Sequence, residues 1–211
     1  MDSAAQIKEH AFRSIGASLF FRELCAGTLP RQALNQIFGQ YYFWRSAVHK
    51  CVLGLCLEKS QLLDHQGGAT ATLLATTVGR KRYRHFLANI GAELQGLRIA
   101  PPTATYIEAF RIRSRDRGLS QFWAALAGCE LLASLSNDLV LIALHSRYGV
   151  EDVGFWNAHI EDEEAHFWRM WTPLTELGAD ESVLVSAAMD EIERHVGLWD
   201  DLRNYSVAQA A

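Results

Sequence analysis

Hydrophobic positions recur with a helical period along nearly the whole chain. The long intervals between its four prolines carry apolar residues three and four positions apart, and none shows a sustained alternation of apolar and polar residues. This pattern predicts an all-α protein. Glycines, prolines and capping residues divide it into seven helices, over 4–16, 31–58, 69–94, 103–115, 119–145, 151–171 and 181–205. We expect residues 1–211 to form a single seven-helix bundle, one domain around one core.

The most apolar of the predicted helices, 119–145, contains an isolated acid. Glu130 lies among long apolar runs, and no lysine or arginine falls between Arg117 and Arg147. An ionised carboxylate in such surroundings is costly unless it is paired, hydrogen-bonded or bound to a metal. Two interpretations stay open at this point, a carboxyl group that is protonated or bonded to a buried Tyr or Trp, and a metal ligand.

A second set of polar residues lies in the predicted helix 151–171. At ~100° per residue, His159, Glu163 and His166 project at roughly 0°, 40° and −20°, so two imidazoles and a carboxylate share one narrow stripe. Such a donor set suits iron, manganese or zinc better than calcium or magnesium. The alternative is a charged surface helix whose histidines happen to align, but the flanking aromatic residues favour a metal site.

One further imidazole, His85, lies in the predicted helix 69–94, and a histidine beside apolar residues is often only a core residue. Considered together, however, five candidate ligands come from three helices: His85, Glu130, His159, Glu163 and His166. Helical bundles build dinuclear iron or manganese sites in this way. The sequence therefore predicts a metal centre inside the bundle.

Composition narrows the class of protein. The chain has 211 residues, 49 % hydrophobic and 21 % charged, with a net charge of −4, which is typical of a globular domain and does not favour nucleic acid as a partner. The N-terminus lacks the layout of a signal peptide, and no uncharged apolar run is long enough to cross a bilayer, so we expect no membrane association. Four scattered cysteines indicate buried, reduced thiols and a cytoplasmic location. A homodimer is an open alternative to a monomer.

These residues resemble a known family. The segment FFRELCAGTLPRQALNQIFGQYYFWR is similar to the entry segment of TenA-type thiaminases and of PqqC, and the whole chain resembles the heme-oxygenase-like diiron oxidases and oxygenases. The ligand pattern of that branch is Glu, six residues, His, a distant Glu, then His, three residues, an acid, two residues, His. The end of the pattern matches His159, Glu163 and His166, and Glu130 and His85 lie near the family spacing. Val78 stands where the family has its first Glu.

The resemblance implies an enzyme that binds Fe(II), two ions or, because of Val78, one. It would use O2 to oxidise a small amino-acid- or fatty-acid-derived metabolite by N-oxygenation, desaturation or C–C cleavage. Glu130 would be the bridging or shared ligand and, with His159, part of the catalytic centre. Glu58, Asp64 or Glu93 could replace the missing acid.

For the substrate, Arg45 and Tyr41 lie on the inner side of the predicted helix 31–58, and an arginine can bind a carboxylate with two hydrogen bonds. The alternative is an exposed Arg45 that only stacks on Trp44.

Three other functions stay open. A heme oxygenase would use His10 as the proximal ligand, but the glycine-rich distal helix of that family is not evident. A TenA-type thiaminase would use Cys129 as its nucleophile, although no base stands beside it in the sequence. A non-catalytic small-molecule-binding protein could have kept the fold and lost the metal, and Val78 favours that alternative.

Overall fold

The structure, a computed structural model, describes residues 2–58, 80–176 and 178–210, except for the side chains of residues 49, 52, 53, 55–58 and 158–164. Within these residues the chain forms helices, turns and loops and no strand, as the sequence predicts. The helices in the described residues are α1 (Ser3–Ala17), α2 (Leu19–Ala26), α3 (Arg31–Glu58), α4 (80–89), α5 (Pro101–Asp116), α6 (Leu119–Tyr148), α7 (Gly154–Glu176) and α8 (Glu181–Ala210).

The described residues thus hold eight helices, where the sequence pattern predicts seven. The additional one is α2, which is separated from α1 at Ser18. The Ser18 hydroxyl accepts a hydrogen bond from Phe21 N, and Asp200 of α8 accepts one from the Ser18 hydroxyl at 2.7 Å and one from Phe20 N at 2.8 Å. A side-chain cap from a distant helix stabilises the start of this short helix.

Three predicted helix ends differ from the structure, and one of them is the end of α8, which is predicted at 205 and lies at Ala210. The predicted helix 69–94 ends instead at 89, because Gly91 adopts a left-handed conformation with φ 75° that terminates α4. Conversely, Pro173 does not mark the exit from α7, which continues to Glu176. A proline inside a helix removes one backbone hydrogen bond, and α7 tolerates that loss.

Helix α6 is the central element, and it packs most extensively against α7 and α8. Gly128 of α6 allows a close contact with the backbone of α8. A Cβ added at Gly128 would lie only 2.6 Å from the carbonyl oxygen of Ala188. By length and composition α6 could also cross a membrane, with a mean hydropathy of 1.5 over its most apolar window. A core helix has the same properties, and the contacts of α6 with α7 and α8 are those of a core helix.

Aromatic rings fill the core between α2, α3 and α8. Trp199 stacks on Phe20 at 4.7 Å and on Tyr41 at 4.5 Å, and Tyr41 stacks on Trp44 at 4.8 Å between ring centroids. Offset-stacked pairs of this kind each contribute roughly 0.5–1.5 kcal/mol beyond the area that they bury. This column fixes the inner face of α3 against α8, so Tyr41 and Trp44 have well-defined positions.

Buried Gln40 joins α3 to the start of α5. Its amide nitrogen donates to Arg98 O at 2.8 Å, and its carbonyl oxygen accepts from Ala100 N at 2.8 Å and from the Thr103 hydroxyl at 2.9 Å. These hydrogen bonds satisfy both polar atoms of the buried Gln40 side chain. The loop before α5 is therefore fixed against α3.

Candidate metal centre

The structure brings Glu130 of α6 together with His166 of α7. The His166 Nδ1 atom lies 3.3 Å from the Glu130 Oε2 atom, and the two side chains are 33 % and 32 % exposed. This is the separation of a hydrogen bond between the two side chains, and two donor atoms that each lie about 2.1 Å from one metal ion are also about 3 Å apart. The sequence suggested an enclosed Glu130, whereas its carboxylate is accessible from outside the core.

His159 and Glu163 lie on α7, whose backbone is helical from Gly154 to Glu176. The helical register therefore places their Cα atoms and that of His166 on one stripe of the helix. Their side chains lie outside the described residues, so their role as ligands stays a prediction.

His85 lies elsewhere in the described structure. It projects from α4 with 69 % of its side chain exposed, and its Nε2 atom is 3.0 Å from Asp152 Oδ2. Asp152 also accepts hydrogen bonds from Asn89 and from Gly154 N, next to the start of α7. The described residues contain no group of three or more His, Cys, Asp or Glu side chains placed to hold a metal, so His85 does not join Glu130 and His166 here.

The acids that could replace the missing family glutamate are only partly described. Val78, Asp64 and the side chain of Glu58 lie outside the described residues, whereas Glu93 is exposed in the loop after α4. Whether the centre holds one metal or two therefore stays a prediction. The donor atoms of Glu130 and His166 fit either case, because a carboxylate can bind one metal ion or bridge two.

Arg45 and Tyr41 are neighbours on α3, and Tyr41 is buried. The Arg45 guanidinium carbon lies 4.9 Å from the ring centroid of Phe155 and 5.9 Å from that of Tyr41. Both contacts are cation–π interactions, which hold the guanidinium against the inner aromatic residues of α3 and α7. The stack on Trp44 that the sequence offered as an alternative is replaced by one on Phe155.

A buried ionic cluster that the sequence analysis did not identify lies on α8. The Glu191 side chain is fully enclosed, and three side chains donate to its carboxylate. Arg113 donates twice, at 2.8 and 3.2 Å, and Arg117 and the Tyr106 hydroxyl donate once each, at 2.8 and 2.9 Å. Burial alone would raise the pKa of Glu191, but the two arginines outweigh it and hold the pKa below its usual range. Glu191 is therefore ionised and fully paired.

His195 lies one turn after Glu191, among the rings of Tyr41, Trp44 and Trp199. Its ring centroid is 4.3 Å from that of Trp44. Burial lowers the pKa of His195 to about 4, with Glu191 opposing the shift and Arg45 adding to it. The imidazole is therefore neutral near neutral pH. The sequence did contain a sign that both residues are buried. Glu191, His195 and Trp199 are spaced four residues apart and fall on the buried side of α8.

The structure also bears on two alternative functions. Burial raises the pKa of the Cys129 thiol, and the nearby carboxylates of Glu191 and Glu130 raise it further, so the thiolate that a thiaminase needs is disfavoured. His10, the candidate heme ligand, lies with its Nε2 atom 3.3 Å from Glu193 Oε1.

The cysteines are less buried than the sequence suggested. Cys25, Cys51 and Cys129 are free thiols and half-buried, and Cys56 lies among the undescribed side chains.

Known structures with the same arrangement of helices come from several organisms. A TenA-family transcription regulator from Silicibacter sp. TM1040 has a TM-score of 0.73 and 20 % identity, covering 96 % of each chain. A domain of unknown function with a heme oxygenase-like fold from Shewanella denitrificans OS217 has a TM-score of 0.77 and 15 % identity, covering 98 % of this chain and 93 % of the other. A TenA homologue from P. horikoshii OT3 has a TM-score of 0.65 and 11 % identity, covering 97 % of this chain and 99 % of the other.

No protein-family model matches the chain, and no curated protein matches it either. At these identities the three structures establish the fold but no activity. The chain therefore has the all-α heme-oxygenase-like fold shared with TenA-family proteins.

Proposed function

We propose that this protein is an O2-dependent non-heme iron oxidase or oxygenase that acts on a small metabolite. The observation that carries the proposal is the approach of Glu130 and His166, a carboxylate and an imidazole on facing helices with donor atoms 3.3 Å apart. Both occupy positions at which the sequence resembles the ligand pattern of heme-oxygenase-like diiron enzymes. His159 and Glu163 on the same stripe of α7 would complete the ligands from that helix.

Iron bound to these residues would supply the activation of O2, which amino-acid side chains cannot perform unaided. The protein's own contribution is the positioning of these side chains. Phe86, Leu126 and Trp156 are buried apolar residues of the bundle, whereas Glu130 and His166 are each about one-third exposed, so their donor atoms can be reached from solvent. The neutral Cys129 thiol beside Glu130 adds no charge to the site.

Substrate binding is assigned to Arg45 and Tyr41 within this proposal. An arginine guanidinium can bind a carboxylate through two hydrogen bonds, and a fatty acid or an amino acid carries a carboxylate. Tyr41, whose ring is buried in the aromatic column, would contribute by positioning the Arg45 guanidinium, which lies 5.9 Å from the Tyr41 ring centroid.

The test is anaerobic reconstitution of the apoprotein with Fe(II), followed by iron analysis and measurement of O2 consumption. The expected result is about two iron ions per chain, or one if the centre is mononuclear. Glu130→Gln and His166→Ala should both lower the iron content. Asp138→Asn is the matched control, because it removes an exposed carboxylate from the same helix.

His85→Ala separates two versions of the centre. A loss of iron would mean that His85 leaves Asp152 and reaches the metal, and unchanged iron would remove it from the ligand set. A wild-type protein that binds no iron would refute the proposed function.

A further inference from the structure

Four nitrogen atoms in the aromatic core have no hydrogen-bond partner among the described residues. They are Trp44 Nε1, Trp156 Nε1 and both ring nitrogens of His195. The three residues are only 7 %, 1 % and 3 % exposed. Buried polar atoms are almost always hydrogen-bonded to protein, water or a ligand, because an unpaired one costs free energy comparable to a lost hydrogen bond. These nitrogens therefore need partners that the described residues do not provide.

The three side chains share one neighbour, Tyr41 of α3. The Tyr41 ring centroid lies 4.8 Å from that of Trp44, 6.3 Å from that of His195 and 6.5 Å from that of Trp156. Trp44 and His195 also contact each other directly, with centroids 4.3 Å apart. The four nitrogens therefore belong to one group of rings on α3, α7 and α8. We call Tyr41, Trp44, Trp156 and His195 the ring cluster.

His195 is less closely surrounded than the other rings of the core. Its ring centroid lies 6.4 Å from that of Trp199 and 6.3 Å from those of Tyr41 and Tyr106. Within the aromatic column, by contrast, the Trp199 and Tyr41 centroids are 4.5 Å apart. The rings around His195 are therefore the more widely spaced part of the aromatic core.

The chemistry of these nitrogens restricts what can bind to them. An indole N–H only donates, whereas a neutral imidazole has one donor and one acceptor. His195 is neutral near neutral pH, because burial lowers its pKa to about 4. Glu191 is already paired with two arginines, and the half-buried Arg45 guanidinium lies 5.9 Å from the Tyr41 centroid, so these charges do not favour a cation. A matching ligand carries an uncharged group that both accepts and donates hydrogen bonds.

We propose that the ring cluster binds the phenolic ring of a small aromatic metabolite, whose hydroxyl group accepts a hydrogen bond from Trp44 Nε1 and donates one to a ring nitrogen of His195. A flat ring suits aromatic neighbours, because it can stack on them. The hydrocarbon tail of a fatty acid carries no polar atom and leaves all four nitrogens unpaired. The inference names a substrate class within the proposed function, and it rests on that function only for the reaction that follows binding.

The test measures binding of three probes to the iron-free protein by ligand-observed NMR. The probes are 4-methylphenol, toluene, which lacks only the hydroxyl group, and decanoate. We expect 4-methylphenol to bind at least about tenfold more tightly than toluene, the factor that one hydrogen bond contributes, and more tightly than decanoate. Equal affinities of 4-methylphenol and toluene, or no binding of either, would mean that ordered water alone meets the nitrogens and would overturn the proposal. So would tighter binding of decanoate.

Two variants assign the preference to particular nitrogens. His195→Phe keeps a ring in the core and removes both imidazole nitrogens, so it should weaken binding of 4-methylphenol about tenfold and leave that of toluene unchanged. A purely structural role of His195 would change both affinities alike and would refute its part in recognition. Trp44→Phe removes one indole N–H and should also reduce the preference for 4-methylphenol.

Trp171→Phe is the control for Trp44→Phe, because Trp171 is buried on α7 outside the ring cluster. It should keep the full preference for 4-methylphenol over toluene. An equal loss of preference in Trp44→Phe and Trp171→Phe would refute the assignment to the ring cluster. None of these measurements requires iron, so failure of the phenol site and failure of the proposed function are separate outcomes.

Discussion

Glu191 and Glu130 lie on two helices that pack together, α8 and α6, but their surroundings differ. Glu191 is enclosed and paired with Arg113 and Arg117, and it accepts a further hydrogen bond from Tyr106. Glu130 is one-third exposed and faces an imidazole, and the described part of the chain forms no lysine or arginine ion pair with it. A carboxylate whose acceptor sites are already occupied by cations has little capacity for a metal. The comparison therefore assigns a structural role to Glu191 and leaves Glu130 available for the proposed chemistry.

The largest expected difference is in stability. Glu191→Gln leaves the mostly buried Arg113 without its anionic partner and Arg117 with Asp190 alone, and breaking a buried pair in this way costs about 3–5 kcal/mol. Glu130→Gln should change the free energy of unfolding by no more than about 0.5 kcal/mol, because its carboxylate is partly exposed. Denaturant unfolding of both variants measures the contrast, and similar losses from the two would contradict it.

The next largest effect is a dependence of folding stability on pH, which arises from His195 beside the Glu191 cluster. Its pKa of about 4 in the folded protein lies below the ordinary value of 6.5, so the unfolded chain binds the proton more tightly. Stability is therefore fully present above about pH 6.5 and falls as the pH is lowered towards about 4. We expect a loss of about 2 kcal/mol between about pH 7 and about pH 5.

His195→Phe tests the origin of that loss, since phenylalanine keeps an aromatic ring in the core and cannot be protonated. Unfolding free energies of this variant should vary less steeply across the same pH interval. A slope identical to that of the wild-type protein would show that other groups cause the loss.

The smallest effect concerns the hydroxyl of Tyr106, which donates to Glu191. Tyr106→Phe removes one hydrogen bond to a charged group while both arginines remain, and we expect a loss of about 1.5 kcal/mol. Tyr205→Phe is the control, because the Tyr205 ring is partly exposed on the same helix as Glu191. If the two variants lose the same stability, the Tyr106 hydroxyl is not part of the cluster's energetics.

The sequence predicted the fold because long helices repeat their apolar period many times, as in α6 and α8. It did not predict α2, since eight residues span only about two turns and the cap at Ser18 depends on Asp200. The approach of Glu130 and His166 followed from their place on two apolar-lined helices. The exposure of His85 did not, because tertiary packing decides which face of α4 is buried.

The Glu191 cluster was also beyond prediction from one sequence. Its arginines precede Glu191 by 78 and 74 residues, and no local pattern indicates that they meet it. The detectable sign was an acid at a position of α8 that the helical period marks as buried. An ionisable residue at such a position predicts a partner without identifying it.

The contact at Gly128 restricts how the proposed metal centre can diversify. With no space for a Cβ between α6 and the backbone of Ala188, the two helices cannot slide along each other without separating. Glu130 and Glu191 follow this contact by two and three residues, so their heights along the bundle are fixed by the same crossing point. Under the proposed function, new metal preferences or substrates would therefore arise by exchanging side chains around a constant backbone, and a designer could rely on that backbone when replacing the proposed ligands.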